Sequence, residues 1–239
     1  MGYKISFYNI TEKKKSEKAY CELVRGKEQT DSNIKYLLTD LSFHKEVYQP
    51  GYIEFVVQFT ISGTDTWTSI AEKGIRNCPI VDLKYGDDVI ANTYYIFNIS
   101  SKKTETTDSG SVYYATFKAY SVDKFLTIDK FNHAFTGRKL IGSVYGIANS
   151  ETQSNDEKAG IVPSVFSAAT TNAFSKYKNL INSTTENING IVASLNHLKA
   201  TNEAVLPYCV QYDESFYDFL VRTCNRNGEF LYCRDNQLH

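Results

Sequence analysis

The sequence is poor in proline, has no long apolar run and carries no excess of charge of either sign. Its 239 residues include 4 prolines, 26 basic side chains and 27 acidic ones, with a net charge of −1. This balance excludes a nucleic-acid binder that depends on overall basicity. No apolar run approaches the roughly 18–20 residues that cross a membrane, and the N-terminus lacks the pattern of a signal peptide. We therefore expect synthesis in the cytoplasm, with no nucleic acid and no stable membrane association.

The sequence also lacks the motifs of catalysis and metal binding. Its 5 cysteines form no CxxC pair, none lies at ligand spacing from a histidine, and there is no GxSxG, HExxH or phosphate-binding glycine loop. Asp87 and Asp88 form an isolated pair in a turn, and Cys209 lies in an apolar segment without a nearby base. We therefore predict a protein that is not an enzyme, with no catalytic residue, metal ligand or cofactor.

Aromatic residues, in contrast, are abundant, with 18 Tyr and 14 Phe, and they favour β structure. Residues 52–62 alternate closely between apolar and polar side chains, which predicts a strand with one buried face. Similar patterns predict strands over residues 38–48, 80–85, 93–100 and 111–120, with a polar hairpin loop over 101–110. The predicted fold class is α+β and mainly β.

Helical periods and polar stretches complete the predicted organisation. Short helices are expected over residues 64–77, 122–129 and 137–149. The lysine-containing residues 1–35 predict an N-terminal arm or edge hairpin. Residues 149–203 have few large apolar side chains and predict a variable helical or polar excursion.

The last segment, residues 204–239, has the sharpest pattern. A strand over 206–211 leads to Ser215, which together with Asp218 forms a capping box for a helix with Phe219 at the centre of its apolar stripe. Asp218 and Arg222 have the spacing of an i,i+4 ion pair. Asn227 and Gly228 end the helix, and a further strand is expected over 230–233.

This segment resembles the VgrG spike protein of type VI secretion systems, in the form found in the Bacteroidetes. Further matching stretches occur in the same order at residues 41–51 and 120–140, so that the resemblance covers about residues 36–148 and 195–239. The motif residues that carry it, with an expected structural role, are Pro207, Tyr208, Gln211, Tyr212, Glu214, Ser215, Phe216, Asp218, Phe219, Arg226, Gly228, Glu229 and Phe230.

The resemblance implies a tail-hub β-barrel related to the baseplate hub of phage T4. Residues 36–148 would form the first barrel with its helices, and residues 204–239 would open a second, incomplete one. The implied function is a structural hub that caps the inner tube of a contractile injection system and connects it to the puncturing tip. The implied partners are two further copies in a homotrimer, an Hcp-like tube protein, a C-terminal needle, and effector or baseplate proteins. The hub would assemble in the bacterial cytoplasm and then be ejected.

Three alternatives stay open at this point. The nearest is the baseplate hub of a phage or phage-like particle. A hydrolase would use Cys209 or the pair Asp87 and Asp88 as its reactive groups. A carbohydrate-binding module would require exposed, coplanar aromatic rings.

Overall fold

The computed structural model describes residues 2–8, 10–11, 14–15, 19, 21–31, 34–62, 80–86, 88–107, 110–141, 160–162, 164–165, 200–201, 205–234 and 237–238. The chain divides into two compact units. Unit 1 comprises Met1–Glu46 and Pro50–Val122, and unit 2 comprises Val47–Gln49 and Asp123–His239.

Strands dominate the described residues. In chain order they are β1 (Tyr3–Tyr8), β2 (Ile10–Thr11), β3 (Lys14–Lys15), β4 (Cys21–Val24), β5 (Glu28–Asp31), β6 (Ile34–His44), β7 (Tyr52–Ile61), β8 (Ile80–Tyr85), β9 (Asp88–Thr107), β10 (Gly110–Tyr120), β11 (Lys130–Arg138), β12 (Leu206–Ser215), β13 (Cys233–Arg234) and β14 (Gln237–Leu238). A 3₁₀ helix spans Val122–Thr127, and helix α1 spans Phe216–Arg226. Within the described residues, no helix is long and apolar enough to span a membrane.

Unit 1 is a nearly closed antiparallel barrel. Its eight strands follow the order β4-β1-β8-β9-β10-β7-β6-β5. The sheet curls until its two ends meet: Arg25, directly after β4, forms a parallel bridge with Leu38 in β6. The next N–H, that of Gly26, donates to the Leu38 carbonyl at 3.4 Å. This contact covers part of the sheet edges that could otherwise pair with other chains.

Side chains fill the barrel. Strand β7 alternates as predicted, and its five inward residues from Ile53 to Ile61 are almost fully buried. Phe55 and Phe117 stack with their ring centroids 5.0 Å apart, and the Phe7 ring packs edge-on against both. The predicted mainly β fold with a barrel and few helices is confirmed.

Unit 2 contains a two-stranded ribbon covered by a helix. Strands β11 and β12 pair in antiparallel fashion, and α1 follows β12 without an intervening loop. Phe216 of α1 stacks on Phe131 with centroids 4.2 Å apart, and Phe219 stacks on Phe135 at 5.9 Å. The aromatic stripe of the helix therefore packs against one face of the ribbon. A separate two-stranded sheet joins β13 and β14.

Several sequence-based boundaries differ from the structure, among them those of the strands predicted over 38–48 and 206–211, which span Ile34–His44 and Leu206–Ser215. Residues 1–35, expected as an arm or edge hairpin, contribute β4 and β1 to one end of the large sheet, where β1 pairs with β4 on one side and with β8 on the other. The expected loop over 101–110 is strand up to Thr107 and again from Gly110. Residues 137–138 end strand β11 instead of beginning a helix. The expected strand over 230–233 begins only at Cys233.

Several predictions lie outside the described residues. They include the helix over 64–77, Asp87, the remainder of the helix over 137–149, and most of the excursion over 149–203. The described part of that excursion contains Gly160, whose N–H donates to the Ile141 carbonyl at 2.9 Å, and the buried Ile161, Val162 and Val165.

Candidate functional site: the junction of β12 and α1

A β-bulge shapes the end of β12. Phe131 pairs with Glu214 and His133 with Gln211, so two β12 residues, Tyr212 and Asp213, lie opposite a single residue of β11. Asp213 adopts a φ of 46°, in the left-handed region. Its N–H donates to the side-chain oxygen of Asn132 at 2.9 Å. Bulges change the direction in which a strand presents its side chains, and Tyr212 within this bulge is 80% exposed.

The start of α1 is capped by Ser215. The Ser215 hydroxyl accepts from the Asp218 backbone N–H at 3.1 Å and donates to the Asp218 carboxylate at 2.6 Å. Ser215 has extended backbone geometry, as an N-cap residue requires. The predicted cap is therefore present in the structure.

Arg222 bonds to β12 and not to the partner predicted for it. The expected ion pair with Asp218 is wrong: the Asp218 carboxylate accepts from the Ser215 hydroxyl, and Arg222 pairs with Glu214. Arg222 Nε instead donates to Glu214 Oε2 at 3.2 Å, and its Nη2 donates both to Glu214 Oε1 and, at 2.8 Å, to the Val210 carbonyl. The hydrogen bonds that Arg222 donates to the Glu214 carboxylate raise the pKa of Arg222 above its ordinary value.

Gln211 satisfies polar groups inside the junction. It is fully buried, and its Nε2 donates to the Glu214 carbonyl at 3.0 Å. Its Oε1 lies 3.2 Å from His133 Nδ1. Buried amides and carbonyls without partners destabilise a fold, so these contacts stabilise the turn from strand to helix.

The remaining motif residues lie in two environments. Phe216 and Phe219, on the inner face of α1, are fully buried, whereas Tyr208 and Phe230 are 68% and 62% exposed. The other exposed motif positions are Pro207, Asp218, Arg226 and Gly228.

Three of these residues lie at the end of α1. Gly228 has a φ of 74° and follows the helix end at Asn227, as a left-handed C-terminal residue does. Glu229 accepts a hydrogen bond from the Thr201 N–H, and the Phe230 ring stacks on Tyr48, also in unit 2, with centroids 6.2 Å apart.

The contributions of His133, Asn132 and the Val210 carbonyl were not predicted. Both side chains belong to β11: His133 lies 78 residues before its partner Gln211, and Asn132 lies 81 residues before its partner Asp213. Only the register of β11 against β12 brings them to the junction, and the sequence pattern contains no signal for that register.

Cys209 and Cys224 lie in buried surroundings. Cys209 is buried, with its Sγ 3.6 Å from the Thr223 hydroxyl. Burial, with a smaller effect of Glu229, raises the pKa of the Cys224 thiol to about 12. At neutral pH the Cys224 thiol is therefore protonated and a poor nucleophile. In the described part of the chain, no group of three or more His, Cys, Asp or Glu residues is arranged to hold a metal ion.

No protein-family model matches this sequence, and no curated protein matches it. Among solved structures, the chain is similar to the 43 kDa tail protein of prophage MuSo2 from Shewanella oneidensis, with a TM-score of 0.48 and 8% sequence identity. The match covers 100% of this chain and 52% of the tail protein. The chain thus spans about half the length of the structure it matches, and a similarity of this degree does not establish a shared role.

Proposed function

We propose that this protein is the structural hub of a contractile injection spike of the type VI secretion kind. It would cap the inner tube and connect that tube to the puncturing tip. The observation that carries the proposal is the form of the spike-like motif in unit 2. Its hydrogen-bonding groups at Gln211, Glu214, Ser215 and Asp218 bond to other groups of the same strand and helix, and Gln211 also contacts His133 of the paired strand β11. A motif of this kind builds a rigid element and supports a mechanical role.

The filled barrel supports a ring of copies. Inward side chains such as Phe55, Phe59 and Phe117 occupy the interior of unit 1, so the barrel is a packed core and not a channel. A hub that continues a hollow tube would then need its opening between copies of the chain. A cyclic homotrimer is the arrangement we propose, and closed cyclic symmetry is the common form of homo-oligomers.

The proposed partners are an Hcp-like tube protein on one side and, on the other, a C-terminal needle with effector or baseplate proteins. Assembly would take place in the bacterial cytoplasm, before ejection. The baseplate hub of a phage or phage-like particle is the second form of the same proposal, since it uses the same ring and the same kind of tube. The proposed role requires no catalytic residue and no cofactor.

Light scattering and electron microscopy of the longest natural chain test this proposal. We expect a mass of three protomers and particles bound at the ends of tubes assembled from the Hcp-like protein of the same genome. A tube protein from an unrelated system is the control, and it should remain without bound ends. A chain that stays monomeric at micromolar concentration and ignores its own tube protein would contradict the hub function.

A further inference from the structure

The side of β12 that faces away from β11 is an edge where another chain could add a strand. In the described residues, β12 belongs to a sheet of two strands. Successive residues of an antiparallel strand direct their backbone groups alternately toward the partner strand and away from it. The outward groups of an edge strand can pair with an extended segment of another chain, which leads to uncontrolled association.

Three backbone groups near the end of β12 bond to side chains. The Val210 carbonyl accepts from Arg222 of α1. The Glu214 carbonyl accepts from Gln211 of the same strand, and the Asp213 N–H donates to Asn132 of the partner strand β11, so the Val210 carbonyl is the one of the three whose side-chain partner comes from outside the ribbon. A backbone group that already has a side-chain partner has less to gain from a neighbouring strand.

The Arg222 guanidinium is held firmly at this edge. The Glu214 carboxylate accepts from Nε and Nη2 of the guanidinium. The central carbon of the guanidinium, Cζ, lies 5.3 Å from the centre of the Phe219 ring. Both side chains of the ion pair are partly buried, with 32% and 22% exposure. A planar, bidentate guanidinium is well suited to such a fixed position, because its donors keep a rigid fork geometry.

We propose that the Val210 carbonyl faces away from β11, and that Arg222, anchored by Glu214, occupies this carbonyl and closes the edge of β12 to strand addition by a second copy of this chain. The closure is a conformational device in the fold and is independent of the hub function. It excludes edge-to-edge association through β12, and so it restricts assembly to other surfaces of unit 2.

The test compares two matched variants of the full chain. Arg222→Met removes the guanidinium and keeps a long apolar side chain, whereas Lys130→Met makes the same kind of change at the exposed ion pair with Asp213 in the same ribbon. Sedimentation velocity over a range of concentrations gives the mass, and the infrared amide band reports intermolecular β pairing. We expect Arg222→Met to reach at least double the wild-type mass, with new β pairing, and Lys130→Met to match the wild type.

A folded Arg222→Met variant with the mass and infrared spectrum of the wild type would overturn the proposal. Circular dichroism establishes whether that variant is folded. If that variant is not folded, the mass and infrared spectrum of Glu214→Gln test the proposal instead. This change removes the carboxylate that holds Arg222 and leaves the arginine in place. The comparison is always with the mass of the wild type, whatever that mass is. The edge proposal and the hub function can therefore fail separately. Absence of tube binding says nothing about the mass of Arg222→Met, and an unchanged mass of Arg222→Met says nothing about tube binding.

Discussion

The Ser215 hydroxyl and the Asp218 backbone N–H, 3.1 Å apart, form the hydrogen bond that begins α1. Replacing Ser215 by Ala removes the acceptor and leaves a helix N–H without its partner. We expect this change to lower the free energy of unfolding by about 0.5–2 kcal/mol. Urea denaturation measures it, with Thr136→Ala, an exposed position on β11, as the control. Equal stability of the two variants would contradict a stabilising cap.

Phe219 is the central apolar anchor of unit 2. It is completely buried and stacks on Phe135. Replacing Phe219 by Ala should lower the free energy of unfolding by roughly 3–5 kcal/mol, because it removes apolar contacts and leaves a cavity. Tyr212→Ala, at an exposed position, should change it by no more than about 0.5 kcal/mol. Thermal melts of both variants check this, and a Phe219→Ala melt that matches the wild type would disprove the packing of α1.

The features that were predicted correctly are local in sequence. The alternation in β7 and the cap at Ser215 each arise within about ten residues, so the periodic pattern contains them. The place of β1 in the barrel wall and the partners of Arg222 and Asp213 depend on contacts between distant segments. The Arg222 case shows this well: i,i+4 spacing favoured Asp218, but the strand before the helix brings Glu214 within bonding distance. Local spacing ranks partners on one helix and contains nothing about a preceding strand.

Gly110, at the start of β10, has a backbone conformation that other residues rarely adopt. Its φ is 136°, and a Cβ there would overlap the Ile61 carbonyl oxygen and lie 2.7 Å from the Ile61 carbonyl carbon. We expect Gly110→Ala to destabilise unit 1 by about 1–3 kcal/mol. Gly2→Ala is the control, since a Cβ at Gly2 meets nothing within 4 Å. If chemical denaturation gives the same midpoint for both variants, the close approach to Ile61 is wrong.

Glu22 connects three strands of the barrel. The hydroxyl of the fully buried Ser6 donates to its carboxylate at 2.9 Å, and Lys84 Nζ donates to the same oxygen at 3.2 Å. The Ser6 hydrogen bond, with smaller contributions from Lys84 and Lys4, lowers the pKa of Glu22 below its ordinary value of 4.5, against the opposite effect of burial. The carboxylate is therefore favoured in the folded state.

The lowered pKa of Glu22 predicts a dependence of stability on acid. A carboxyl with a lower pKa in the folded state stabilises the fold above its unfolded pKa, and that contribution is lost as the pH falls below 4.5 through the folded pKa. Glu22→Gln should therefore lower the free energy of unfolding at pH 7. It should also make the loss of this free energy at acid pH less steep, as measured by urea denaturation over a pH series. Glu28→Gln, which breaks the exposed pair with Lys35, should keep the wild-type slope, because exposed ion pairs contribute little. A Glu22→Gln variant with an unchanged acid slope would show that the carboxylate is not selectively stabilised.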